Sequence, residues 1–481
     1  MLLRLVYNDL LAQASYLVGC QATGEALVID PNRDSDQYLE LAGAEGMRIS
    51  AVTETHIHAD FASGARELAA RSGARLFLSD EGDAAWKYAF AGDAGATLVH
   101  NGDSFMVGNI RIEVMHTPGH TPEHICFVLT DTAGANQPMG IFTGDFVFVG
   151  DVGRPDLLET AAGQRGTMAS GARTLFQSLQ RFKQLSDYLQ VWPGHGAGSA
   201  CGKALGAVPQ STVGYEKLFN WALNVESEDE FVSMVLAGQP EPPFYFAQMK
   251  KVNKDGLPLV YDMPMPPRLN TGRIGDLLTE GVVVVDTRPA PAFGSGHIPG
   301  TINIGLMKTF LTYAGWLLPY DKPIALIVDD ARAVAAISDL HLIALDNVVG
   351  YWTPDVLDAW QDAGKALQTI TPITTDDVAR AQASGDATIL DVRNIAEYQE
   401  GHLAGALHVP LGYIPRRIAE IPEDKPIIVH CLSGVRSAIA AGLLQSLGRD
   451  DVHNYPGSYQ EWVSSGHPVE RGVPEPAPVR D

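Results

Sequence analysis

The stretch THIHADFASGARELA, residues 55–69, decides how the amino-terminal half is read. It closes the apolar run RISAVTETH at 48–56 and opens a helical pattern, so His56, His58 and Asp60 lie on a loop between a strand and a helix. Alternate residues of an extended loop point the same way, so His56 and His58 are expected to address one point in space. Further along, His120 lies in HTPGH, Asp145 in FTGDF and His195 in WPGH, each after a strand-like run and beside a glycine. Glycine permits the tight turns that swing such side chains toward a common centre. A lone histidine is more often a hydrogen-bonded structural residue than a ligand. Six such groups at strand ends predict a metal site in an α/β layer, where loops on a rigid sheet carry the chemistry.

Outward from this region, Gly238–Pro267 is rich in proline and poor in periodicity, so a linker is expected at 251–267, after a first domain at 1–250. Beyond it the chain repeats itself. VVVVDTRPAPAFGSGHIPGTINI, from Val282, returns as ATILDVRNIAEYQEGHLAGALHV, from Ala387. Asp286, Arg288, His297 and Gly300 recur as Asp391, Arg393, His402 and Gly405 at one constant offset. Each copy continues with a second apolar strand and an alanine-rich helical segment, which predicts two small parallel-sheet domains at 268–368 and 369–472. The end, 473–481, reads as a loose proline-rich tail.

In the second copy, IIVHCLSGVRSAIAAGLLQSLG from Ile427 is strand, tight loop, helix. The loop Cys431, Leu432, Ser433, Gly434, Val435, Arg436 is able to curl so that backbone N–H groups and the positive helix end face the sulfur, favouring the nucleophilic thiolate. Arg436 adds a fixed positive charge for an anionic sulfur species. The first copy has no cysteine at all, since none occurs between Cys201 and Cys431. It is expected to pack between active domains or to supply a subunit interface in a homo-oligomer. The glycine-rich GHGAGSACGKALG at 194–206 places Cys201 and Lys203 near His195. It reads either as a site for an anionic thiol carrier or as a loop closing the fold. Cys20 and Cys126 sit in apolar runs and are expected to be buried.

Composition narrows the function classes. The chain has 481 residues, 34 Lys+Arg against 57 Asp+Glu, and a net charge of −23. Such an excess of acid repels phosphate backbones and anionic lipid, so neither nucleic acid nor membrane is an expected partner. With 46% hydrophobic residues the chain buries sizeable cores. Four cysteines without a C-x-x-C pair argue against a disulfide scaffold, and the polar interruptions Arg4, Asn8, Asp9 and Gln13 argue against a signal-peptide core. A cytoplasmic location is expected.

The order H-x-H-x-D followed by separate His, Asp and His resembles the metallo-β-lactamase fold, an αββα sandwich. The loop C-x-x-G-x-R behind D-V-R and G-H-L-A-G-A resembles the rhodanese domain, which carries sulfane sulfur on its cysteine. Where the first family's metallohydrolases place a second-metal histidine, this chain has Phe61, and one metal suffices. Together with the run GDVGRPDLL at 150–158, this resembles the fusions of a persulfide dioxygenase with an inactive and an active rhodanese domain, known in bacterial sulfide detoxification. The resemblance implies one Fe(II) on His56, His120 and Asp145, with His58, Asp60 and His195 orienting ligands or substrate. It further implies oxidation of a low-molecular-weight thiol persulfide, of glutathione or coenzyme A, by O2 to sulfite, and transfer of sulfane sulfur through Cys431 to sulfite, giving thiosulfate. Two other readings stand beside it: a zinc thioester hydrolase of the glyoxalase II kind fused to a rhodanese, and a sulfur-relay protein with a structural metal site.

Overall fold

A computed structural model describes residues 1–160, 166–199, 201–202, 205–239 and 241–472. Lys203 and the tail at 473–481 lie outside the described residues. The chain divides into two compact units, one of residues 1–264 with 338–345, the other of 265–337 and 346–481.

The first unit is built on two six-stranded sheets. One runs in chain order from Leu2–Asn8 through Gln13–Cys20, Glu25–Ile29, Arg48–Thr53 and Arg75–Ser79 to Thr97–Val99. Its first three strands are antiparallel hairpins; from Glu25–Ile29 onward the pairing is parallel. The other sheet carries Ser104–Val107, Ile110–His116, Ile125–Asp131, Gly140–Gly144, Gln190–Pro193 and Ser211–Thr212. Alternation explains the layering, because successive strand residues face opposite sides. Val18, Leu27 and Phe77 of one sheet meet Ile112, Phe127 and Trp192 of the other in a shared core. On the outer face of the first sheet, Val28 and Val52 pack with Leu68 of the helix Ala65–Ser72. On the outer face of the second, Ile141 and Val191 pack with Leu175 and Leu179 of the helix Met168–Phe182. This is the expected αββα sandwich.

The stretch expected to be a linker is built into this unit through residue 264. The helix Tyr245–Asp255 runs into it, and its buried Asn253 binds three backbone groups of the loop after residue 57. Arg66 and Arg33 bond the carbonyls of Leu257 and Pro258. Proline here marks an irregular path, and the arginines satisfy the carbonyls that a proline-rich path leaves without regular partners.

The second unit contains both copies of the repeat, each with an all-parallel sheet. In the first the strand order is Ile302–Asn303, Val283–Asp286, Ile324–Ile327, Val348–Trp352; in the second it is Thr371–Pro372, Val452–Asn454, Ile427–His430, Thr388–Asp391, Leu407–His408. Both copies are the expected α/β domains with parallel sheets. Asp286 pairs in register with Ile327, and Asp391 with His430. Val328 therefore occupies in the first copy the place that Cys431 holds in the second. Among the described residues no helix is long and apolar enough to cross a membrane.

Candidate metal centre and cysteine loop

The metal site is assembled by strand ends of both sheets of the first unit. Thr55, just beyond the strand Arg48–Thr53, donates from its N–H and its hydroxyl to the two carboxylate oxygens of Asp30, at 2.6 and 2.9 Å. The N–H of Ile57 donates to Glu123 at 2.8 Å. The loop is thereby pinned, and His56 and His58 point inward, each under 4% exposed. They do not address one point. His58 turns to Asp30, with Nε2 3.2 Å from Oδ1, because Asp30 is the carboxylate nearest that side. His56 instead joins His120 and Asp145, the three offering ligand atoms that all lie within 4.8 Å of one another. Asp145 Oδ2 is 4.0 Å from His56 Nε2 and 3.7 Å from His120 Nε2.

Each ligand is aimed by a partner behind it. His120 Nδ1 donates to the carbonyl of Arg154 at 3.1 Å, which leaves Nε2 as the lone pair facing the centre. Arg154 is itself locked by the buried Asp156, so the GDVGRPDLL run serves to hold that carbonyl. The turn before His120 requires Gly119, at φ 142°, where a Cβ would meet the backbone of Leu175 at 2.4 Å. The N–H of Asp145 is taken by His124 Nε2 at 3.2 Å, while Thr117 meets His124 Nδ1. His195 Nδ1 donates to the carbonyl of Ala12, and its Nε2 lies 3.1 Å from Asp60 and 3.4 Å from Asp145.

The donor set fits a cation. Burial, and secondarily the neighbouring histidines, hold His56 well below the usual imidazole range; burial also lowers His120. Both are neutral ligands. Asp145 is buried with no hydrogen-bond donor to its carboxylate among the described residues, while the buried Asp60 faces His195. A bare buried carboxylate beside neutral imidazoles is the arrangement a divalent metal satisfies. Phe61 is fully buried with its ring 4.3 Å from that of His58. Cys201 is buried too, within 4.8 Å of Asp60 and His195, and burial together with Asp60 and Asp145 pushes its thiol up to about 12.

In the second unit, the cysteine loop closes over Cys431 at the end of the strand Ile427–His430. The N–H of Gly434 donates to the sulfur at 3.1 Å. Gly434 sits at φ 93°, and a Cβ there would lie 2.5 Å from the carbonyl of Pro456, so only glycine closes this loop. Ser458 accepts the N–H of Cys431 and lies 3.7 Å from its sulfur. Burial raises the Cys431 thiol, but the N–H groups of Ser437 and Ser433, the Ser458 hydroxyl and Arg436 outweigh it, and the pKa is lowered. Arg436 does not stand free for a substrate. Its guanidinium forms a two-point pair with Glu397 at 2.6 and 2.7 Å, since a carboxylate on the neighbouring helix Ile395–Glu400 matches its fork. Cys20 and Cys126 are buried.

Sequence reasoning missed Asp30, Glu123, His124, Asn253, Glu397 and Ser458. Of these, only Asp30 and His124 carried a signal, as polar residues at the ends of strand-like runs.

The family profile described as "Metallo-beta-lactamase superfamily" matches residues 8–195, and that for "Rhodanese-like domain" matches 374–465. A metallo-beta-lactamase from Staphylococcus aureus subsp. aureus COL is 46% identical, with a TM-score of 0.66, over 73% of this chain and 99% of that one. A probable metallo-hydrolase of Burkholderia pseudomallei is 30% identical over 38% of this chain and 67% of that protein. The hydroxyacylglutathione hydrolase of Rhodospirillum rubrum is 31% identical over 37% of this chain, which spans 60% of that protein's length. With a two-sheet sandwich holding His56, His120 and Asp145 at its strand ends and a cysteine loop in the last domain, the chain belongs to the metallo-beta-lactamase superfamily and carries a rhodanese-like domain at its C-terminal end.

Proposed function

We propose that the first unit oxidises a low-molecular-weight thiol persulfide, RSSH, and that Cys431 transfers sulfane sulfur to the sulfite produced. The observation that carries this reading is a three-ligand site, with Phe61 packed on the neighbouring His58, on one chain with a thiolate-favouring cysteine loop. Iron(II) bound by His56, His120 and Asp145 supplies dioxygen chemistry that two histidines and one carboxylate leave room for. The chain's own residues do the rest. Arg154 and His124 fix the ligand orientations, and Phe61 packs on His58. The overall change is RSSH + O2 + H2O → RSH + SO3²⁻ + 2H⁺. At the second site the Cys431 thiolate attacks the sulfane sulfur of another RSSH; the carrier's S–S bond breaks, RSH leaves, and a persulfide forms on Cys431. The sulfur atom of sulfite then takes the outer sulfur, giving thiosulfate and regenerating the thiolate. No external oxidant or reductant enters this second reaction.

One observation favours a second reading, a two-metal thioester hydrolase. Asp60, His195 and Cys201 form another buried group with metal-ligand spacing, and the hydroxyacylglutathione hydrolase of R. rubrum is a relative by name. Anaerobic iron loading followed by O2 uptake with glutathione and coenzyme A persulfides separates the two. One iron per chain, O2 consumption and sulfite support the dioxygenase. Two zincs with hydrolysis of S-lactoylglutathione sink it. In the same assay Cys431→Ser keeps sulfite formation and loses thiosulfate, and His120→Ala loses O2 uptake while Cys431 still accepts sulfur.

A further inference from the structure

The two copies of the repeat enclose a cavity of about 610 Å³, a size usual for small-molecule sites. From the first copy, Ser295, Asn303 and Met307 line it; from the second, Ser433, Gly434 and Val435 of the cysteine loop form its floor. Gly434 is the residue whose N–H binds the Cys431 sulfur. Among the described residues none with a charged side chain lines this cavity, although the chain carries a net charge of −23. A second cavity beside the same loop is lined by Arg393, Glu397, Glu400 and Arg471, so the lack of charge belongs to one side of the loop only. In the uncharged cavity the polar groups are hydroxyls and carboxamides. One of them, the Asn454 Oδ1, is buried without a hydrogen-bond partner and is a ready acceptor for an N–H. The first copy also reaches toward the sulfur. Tyr313, on its helix Phe310–Leu317, lies within electrostatic reach of Arg436 and Cys431, and Trp316 on the same helix packs on Gly412 and Tyr413 of the second copy.

We infer that this cavity seats the carbon arm of the sulfur donor of Cys431, and that it selects donors whose sulfur sits on an uncharged chain of amides and methylenes. The inference rests on the sulfur-transfer reading of Cys431 and adds to it a substrate class and a role for the cysteine-less copy. A zwitterionic tripeptide such as glutathione would bring carboxylates into a cavity that offers them no cation, which is costly. A pantetheine-type arm brings amide N–H groups to Asn454 and methylenes to Met307 and Val435. Sulfur transfer itself is the balanced exchange given above.

The test uses the full chain and three donors. Thiosulfate has no arm, glutathione persulfide has a charged arm, and pantetheine persulfide has a neutral one. Loading of Cys431 is followed by mass spectrometry of the intact protein. The expected kcat/KM for pantetheine persulfide exceeds that for glutathione persulfide by about tenfold or more, the ratio that one unpaired charge in such a site sets. Ser295→Glu and Met307→Glu, both at exposed positions on the rim, should each lower the ratio of pantetheine persulfide to thiosulfate by about tenfold. Equal use of the two persulfides, or an unchanged ratio in both variants, overturns the inference. If thiosulfate and both persulfides all fail to load the wild-type chain, the sulfur-transfer reading falls, and this inference with it. If thiosulfate loads and the neutral-arm preference is missing, only the inference falls.

Discussion

At the level of single residues, the chemistry depends on groups that the sequence does not bring together. Cys431 was legible because its loop follows an apolar strand and contains glycine. Ser458 was not, because it reaches the sulfur from 27 residues away and at a positive φ of 54°. Its contribution is testable through pH. Ser458 favours the thiolate, so Ser458→Ala should raise the Cys431 pKa, because the thiolate loses a hydrogen bond. Less thiolate then exists at any given pH below the pKa, and the acid limb of Cys431 alkylation should move to higher pH. Peptide mapping is needed to separate Cys431 from Cys20, whose thiol is also lowered by hydrogen bonds, while burial pushes the thiols of Cys126 and Cys201 up to about 12. A limb that stays in place would assign the lowered pKa to the loop N–H groups and Arg436. The metal triad was legible for a similar reason, as His56 closes a strand-like run and His120 and Asp145 each follow a glycine. Period-two spacing gives the direction of a side chain, but Asp30, contributed by another strand, decides where the His58 hydrogen bond goes.

At the level of elements, the repeated Asp, Arg and His prove to be cement. In both copies the arginine forks onto the aspartate two residues before it, with Nε at 3.0 Å, and bonds the carbonyl of Gly296 or Gly401 at 2.9 or 2.8 Å. In both, the histidine stacks on an aromatic ring at 3.8 or 3.7 Å. The recurrence seen in the sequence therefore reports a shared way of closing a strand end, and it does not extend to Cys431, whose place in the first copy is taken by Val328. The two pairs differ in burial. Arg393 is 1% exposed at its side chain and Arg288 is 17%. Asp391→Asn leaves a buried guanidinium without its counter-charge and should cost about 3 kcal/mol; Asp286→Asn should cost less, since water reaches Arg288. Denaturant unfolding of the full chain measures both, and equal losses would contradict the burial argument. The helix Tyr245–Asp255 was hidden from sequence reading by the prolines around it, although Phe246 and Met249 bury its short apolar face and Asn253 adds a polar hold on the first unit.

For the whole molecule, the net charge of −23 sets the terms on which the proposed sulfur substrates would arrive. Thiosulfate, sulfite and deprotonated persulfides are all anions, so the summed field opposes their approach. The local answer to that field is weak at the cysteine loop, because Glu397 occupies Arg436. Salt then has a definite sign. Raising the ionic strength from about 0.01 M to about 0.15 M shortens the screening length from about 30 Å to about 8 Å and removes most of the repulsion. For a dianion such as thiosulfate, kcat/KM for loading Cys431 should therefore rise severalfold over that range, and pantetheine persulfide, with one ionisable group, should rise less. Glu397→Gln frees Arg436 and should flatten the thiosulfate dependence or reverse it, since a local cation would then be screened by the same salt. A fall with salt in the unaltered chain would mean that Arg436 already faces the substrate despite its pairing. In that case the bond to Glu397 opens during each turnover, and the acidic surface is secondary to that exchange.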